Sequence, residues 1–142
     1  MSVYWTPPVT LTIDTGIYAT GDALGSATQF NNVPEHGVIM SVMVIDRADQ
    51  GINLDVVLFK AAFTGTADQA AFNPSDADLQ NCLGSILVDT WSNYSTNQVG
   101  IVRNLGFPYW APAGILYFQC VTRGTPTYAA TDDVRIALGI VY

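Results

Sequence analysis

The stretch Ile52-Asn53-Leu54-Asp55-Val56-Val57-Leu58-Phe59 decides the fold class. Ile52, Leu54, Val56 and Leu58 share one side, and Asn53 and Asp55 share the other until Val57 and Phe59 replace them. A period of two is the mark of a strand, because successive side chains point to opposite faces. The change from polar to apolar on the second side predicts a strand that starts wet and ends covered. Just upstream, Val38–Asp46 has the same β character, with Val38, Met40, Val42 and Val44 assigned to one face. Arg47-Ala48-Asp49-Gln50-Gly51 has turn chemistry, so the two strands read as an antiparallel hairpin.

Further out, Val9–Ile13 alternates as a first strand with Val9, Leu11 and Ile13 inward. Gly16, Gly21 and Gly25 punctuate a short strand or irregular edge, Ser26–Phe30 reads as another strand, and residues 31–37 as a loop. After Phe59 the chain is expected to leave the sheet from Lys60 to Asn81. That excursion is the only place for helix, as a short turn within 66–80. Pro74 sits near a helix start, and Ser75-x-x-Asp78 is a variant of the capping box. Leu83–Val88, Gln98–Asn104, Ile115–Thr122 and Val134–Ile140 read as strands, with Trp91–Asn97 and Leu105–Gly114 as loops. In the last strand Val134, Ile136, Leu138 and Ile140 form the inner face. Short alternating strands with turns between them predict an all-β fold, an antiparallel β-sandwich of jelly-roll type. A closed barrel is the alternative.

A chain of 142 residues reads as one domain, here 9–142, preceded by an extended arm, 1–8, marked by Pro7-Pro8. Tyr4 and Trp5 in that arm need cover, either on the chain's own sheet or on a neighbour. Charged residues make up 12%, against about 25% in an average globular chain. That leaves much surface to uncharged groups and suits a protein that hides surface in an assembly. The net charge is −7, and Arg47, Lys60, Arg103, Arg123 and Arg135 are scattered. No basic footprint for nucleic acid or an anionic membrane results. The start shows no signal-peptide pattern, so Cys82 and Cys120 are expected as buried free thiols. No apolar run approaches the roughly 18–20 residues that span a bilayer.

Chemistry has few footholds. His36 is the only histidine, and a turn histidine beside Glu35 is ordinarily solvated rather than a catalytic base. His36, Cys82 and Cys120 lack a fourth ligand and zinc-site spacing. Asp76 and Asp78 have the oxygen chemistry of a calcium loop but not its pattern, and turn and cap roles explain them. Asp132-Asp133 read as a turn before the last strand that discourages edge pairing. The glycines match no phosphate-binding fingerprint. No enzyme activity, cofactor or metal is expected.

The aromatic stretch around Phe107, Tyr109 and Trp110, between Pro108 and Pro112, is more informative. Three rings left together in water would form an apolar patch, and such patches mark interfaces. Folding back onto the sandwich and serving as a sugar platform are the other readings. Tyr4, Trp5, Phe107, Tyr109 and Trp110 are therefore the candidate interface residues.

Several segments resemble small structural proteins of tailed bacteriophages. These are Tyr18-Ala19-Thr20-Gly21-Asp22-Ala23-Leu24-Gly25, Leu54–Phe59, Phe72-Asn73-Pro74-Ser75-Asp76-Ala77-Asp78 and Thr122-Arg123-Gly124-Thr125-Pro126-Thr127-Tyr128. In order, and with the final strand, they look like a phage virion protein family from residue 18 onward. The resemblance implies a capsid cement or decoration protein, made in the host cytoplasm and carried on the capsid surface of the virion. It implies a homotrimer that binds the major capsid protein from outside and stabilises contacts between its subunits. The alternative is a carbohydrate- or receptor-binding module of a fibre or tail, using Trp91, Tyr94, Tyr109 and Trp110. A cupin-type enzyme would need more histidines than one.

Overall fold

β-branched and aromatic residues suit the pleated, half-buried surface of a sheet. In the computed structural model, which describes residues 1–142, they form eleven strands. In chain order these are β1 (Val3–Trp5), β2 (Val9–Thr10), β3 (Ala23–Asn31), β4 (His36–Asp46) and β5 (Leu54–Phe59). After the single helical turn α1 (Asp76–Leu79) come β6 (Cys82–Val88), β7 (Trp91–Asn93), β8 (Gln98–Val102), β9 (Phe107–Trp110), β10 (Ile115–Thr122) and β11 (Val134–Val141). The larger sheet runs β1-β11-β4-β8-β7, with β2 also on β11 and β9 also on β4. The smaller runs β3-β10-β5-β6. All named strand pairs are antiparallel.

The chain changes sheet at most connections, and the two orders are those of an antiparallel sandwich of jelly-roll type. The sandwich reading of the sequence is thus what the molecule adopts. Between the sheets lie Leu24, Phe30, Ile39, Val42, Leu116, Phe118, Ile136 and Leu138, all buried. Phe30 and Phe118 stack with centroids 4.5 Å apart. No helix is long and apolar enough to cross a membrane.

The expected hairpin of 38–46 with 52–59 does not form: β4 and β5 lie in different sheets. The Asp46 carboxylate accepts the N–H groups of Ala48 and Gln50 at 2.9 and 2.8 Å, which curls the chain around a corner. The Gln50 side chain in turn accepts the N–H of Thr127 at 3.0 Å, tying that corner to the 124–131 connection. β5 is also not wet at its start, since all six residues are buried between β10 and β6. Asp55 tolerates this because Arg123 donates to its carboxylate from both Nε, at 2.7 Å, and a terminal nitrogen.

The face assigned to β4 is broken by a bulge. Ile39 pairs with Ile140 and Ser41 with Gly139, so Met40 is an extra residue. An extra residue reverses which side the chain presents, so Ile39, Val42 and Val44 are buried in the core while Val38 is not. β11 behaves as expected, with Val134, Ile136, Leu138 and Ile140 in the core. Two expected loops contain strands: β7 within 91–97 and β9 within 105–114.

The excursion 60–81 closes where the Lys60 N–H donates to the Asn81 carbonyl at 2.9 Å. It lies on the outer face of the smaller sheet. There Val57, Phe59 and Val121 form a second buried cluster, covered by Phe63 and Phe72. Phe59 and Phe63 stack at 3.9 Å. Gln119, fully buried, pins the flap: its Oε1 accepts from Thr66 N, and its Nε2 donates to Thr66 O and Gly25 O. Asp68 accepts from the Tyr18 hydroxyl and the Gly25 N–H at 2.8 and 2.7 Å. α1 falls inside the excursion, with Ser75 Oγ accepting the Asp78 N–H at 3.1 Å. Thr66–Ala71 makes a turn rather than helix, with Ala70 N–H on Ala67 O at 3.1 Å.

Candidate interface on the open face of the larger sheet

The two sandwich faces that point away from the core differ. On that of the smaller sheet the excursion buries Val57, Phe59 and Val121 and leaves Leu87 at the edge exposed; that of the larger sheet carries half-buried Met43, Ile45, Val99 and Ile101, with Trp5 and Trp110 exposed at its margins. Strand alternation fixes what the open face carries. Because Ile136, Leu138 and Ile140 point into the core, Arg135, Ala137, Gly139 and Val141 point out. Paired beside them on β4 are Ile45, Met43, Ser41 and Val38. Beyond β4 stand Val99 and Ile101 of β8, and Pro108 of β9. Antiparallel sheets with one wet side normally alternate apolar-in and polar-out. Here the outward side is apolar as well, and its side chains shield one another enough to leave Ala137 only 1% exposed. Its seven strands, two to eleven residues long at about 3.3 Å per residue and about 4.8 Å spacing, give a face of roughly 570 Å². A standard interface buries about 800 Å² per partner, so this face would supply the larger part of one.

The five candidate interface residues divide between the two sides of this sheet. Tyr4 pairs with Ile140 and packs on the core. Trp5 points outward and lies across Gly139, where an added Cβ would stand 2.9 Å from its ring. The segment 1–8 is extended, and its β1 is hydrogen-bonded to β11, including Ser2 and Tyr142 through both backbone bonds at 2.8 and 3.0 Å. Phe107 points inward and fills the space over Gly84 of the opposite sheet. Tyr109 is buried, and its hydroxyl donates to the Pro34 carbonyl at 3.0 Å. Burial, with a smaller contribution from Tyr4, pushes that phenol up to about 12. Trp110 points outward opposite His36 and is 66% exposed. Trp5 and Trp110 thus share the open face, while Tyr4, Phe107 and Tyr109 belong to the interior.

The rings proposed for a sugar platform are not brought together either. Trp91 is packed on the core over Gly100. Tyr94 is exposed at the β7–β8 turn, level with the Asp46 end of β4, whereas Trp110 pairs at the His36 end. Ten residues of β4 separate those levels, about 33 Å.

Residues that the sequence reading passed over complete the face. Met43, Ile45, Val99 and Ile101 form its centre. The signal was the unbroken run Val42-Met43-Val44-Ile45, since a strand apolar on both sides has two faces to cover. Arg135 and Arg103 flank the centre, and no strand residue on this face is acidic. Thr90, Ser92, Tyr94, Val99, Ile101 and Arg103 line a shallow cleft of about 250 Å³ at the β7–β8 margin.

The groups weighed for chemistry have other roles. His36 is exposed at the start of β4. Cys82 is half-buried and Cys120 buried, both unpaired, and burial pushes the Cys120 thiol well above its ordinary range. Asp76 and Asp78 occupy the first turn of α1. No three His, Cys, Asp or Glu side chains are grouped to hold a metal. No family model matches the chain, and no curated protein matches it in sequence.

Proposed function

We propose that the protein is a non-enzymatic capsid cement or decoration protein of a tailed phage. On this reading it binds the outside of the shell as a homotrimer and stabilises contacts between major capsid protein subunits. One observation supports the interaction role: the outward face of the larger sheet is apolar from strand to strand, with exposed Trp5 and Trp110 at its margins, while the chain's own excursion buries Val57, Phe59 and Val121 on the other sheet. The assignment to a phage shell draws on the resemblance of the segments between Tyr18 and Tyr128. Trp5 and Trp110, outward at two margins of that face, are the anchors this reading selects. Repeated weak contacts on a lattice act together, because each bound copy raises the effective concentration for the next contact.

The test pairs stability with occupancy. Met43→Thr/Ile101→Thr removes apolar surface from the middle of the face without touching the core. The variant is expected to melt within a few degrees of wild type while losing most co-sedimentation with shells that lack the protein. A wild-type protein that neither sediments with shells nor raises their melting temperature refutes the cement role.

A further inference from the structure

We infer that the open face of the larger sheet docks on a protein surface that sets carboxylates opposite Arg103 and Arg135. This rests on the shell-binding reading above and specifies the partner's chemistry. The chain has five basic and twelve acidic residues. Arg47 is paired with Asp132 and Arg123 with Asp55. Arg103 and Arg135 make no ion pair, and both lie with the apolar face. The Nε of Arg135 is shielded from solvent and has no hydrogen-bond partner. Asp14, Asp22, Asp68, Asp76 and Asp78 sit in the β2–β3 connection and the excursion, and Asp132, three residues before Arg135, is engaged by Arg47. A chain of net charge −7 therefore presents an outward strand face with no acidic strand residue and with two guanidinium groups that make no ion pair.

The spacing suits a protein partner. Arg135 is level with Ile45 and Val99, and Arg103 lies four residues past Val99, two strands away. Strand geometry puts their Cα atoms about 16 Å apart on a diagonal. Met43, Ile45, Val99, Ile101 and Ala137 fill the interval. An apolar centre with arginines at its margin is the anatomy of protein interfaces. A second copy of the same face is a poor fit, since it would bring arginine against arginine with no carboxylate between them. An anionic lipid surface calls for a basic cluster of several residues, and two arginines on a chain of charge −7 do not supply one.

The experiment measures co-sedimentation of the full chain with shells that lack it, across salt concentration. Wild type is expected to bind more weakly as salt rises. Arg103→Glu/Arg135→Glu should bind at least about tenfold more weakly at low salt. That gap should close near about 1 M salt, where charges are screened beyond roughly 3 Å. Arg103→Glu alone, at an exposed position, serves if the double variant melts early, and Arg103→Lys should keep most of the binding. Folded Arg103→Glu that binds like wild type at low salt overturns the inference and leaves the cement reading standing. Wild type that ignores shells overturns both. Two further outcomes also overturn it: arginine-dependent binding to phosphatidylserine vesicles, or a wild-type dimer that Arg103→Glu dissociates.

Discussion

Replacing Gln119 by leucine tests whether the excursion is held down by one buried amide. Gln119 lies level with Val57 in the smaller sheet, next to the irregular pairing of β10 with β3 around Gly25. Its side chain makes three hydrogen bonds: from Thr66 N at 3.0 Å, to Gly25 O at 2.9 Å and to Thr66 O at 2.6 Å. Leucine keeps most of the volume, so a cavity contributes little and the loss is mainly polar. A buried group left without a partner costs about 1–3 kcal/mol, and one that can be rehydrated about 0.5–1.5 kcal/mol. Gly25 is buried, whereas Thr66 is half-buried and can recruit water. The sum is a destabilisation of roughly 2–6 kcal/mol, a large share of the about 5–15 kcal/mol typical of a domain. Urea unfolding gives the total. Native-state hydrogen exchange locates it: amides in 60–81 should exchange faster, while those of β11 and β4 open only with global unfolding. Dye binding should rise as Val57, Phe59 and Val121 become exposed. A loss below about 1 kcal/mol with unchanged exchange in 60–81 would refute the pin.

Two other predictions concern the interior. Gly84→Ala puts a methyl 2.2 Å from Phe107 Cε1, where carbon atoms normally sit about 3.5–4.0 Å apart. The expected cost is about 1–3 kcal/mol in urea unfolding, relieved in part by Phe107→Leu, and a silent Gly84→Ala would mean that the ring does not fill that space. The second concerns alkaline pH. Burial raises the Tyr109 phenol from 10.0 to about 12 and also raises those of Tyr18 and Tyr128. Below the unfolded value both states hold the proton and stability does not change on this account. Above it the unfolded chain releases the proton first, so stability falls as pH rises from about 10 toward 12. Tyr109→Phe should flatten that decline in urea titrations, and superimposable pH profiles would show that its hydroxyl is not the source.

The elements were legible where one segment carried its own signal. The inner face of β11 followed from the period-two pattern of Val134, Ile136, Leu138 and Ile140. The cap of α1 followed from Ser75 standing three residues before Asp78. Pairing was not legible, because β4 chooses β11, nearly a hundred residues away, over the adjacent β5. At the corner between them the Asp46 side chain holds the Ala48 and Gln50 N–H groups, a contact that composition does not announce. The bulge at Met40 was equally hidden, since the extra residue exists only relative to Gly139 and Ile140 on the partner strand. For the interface, the useful signal was present in Phe107-Pro108-Tyr109-Trp110. Read as a strand, its alternation separates Phe107 and Tyr109 from Trp110; read as a loop, it merges them.

The low charge content acquires a location in the fold. Charged side chains are few, and most stand in turns, in the excursion or in the two ion pairs. The strands of the larger sheet are consequently apolar on both sides. Such strands are common where sheets are covered twice, and the smaller sheet follows that rule by folding residues 60–81 over itself. In the larger sheet β4 is entered from β3 and left for β5, both strands of the smaller sheet. An outward strand face of roughly 570 Å² that is apolar and nearly free of charge fits the docking role proposed above.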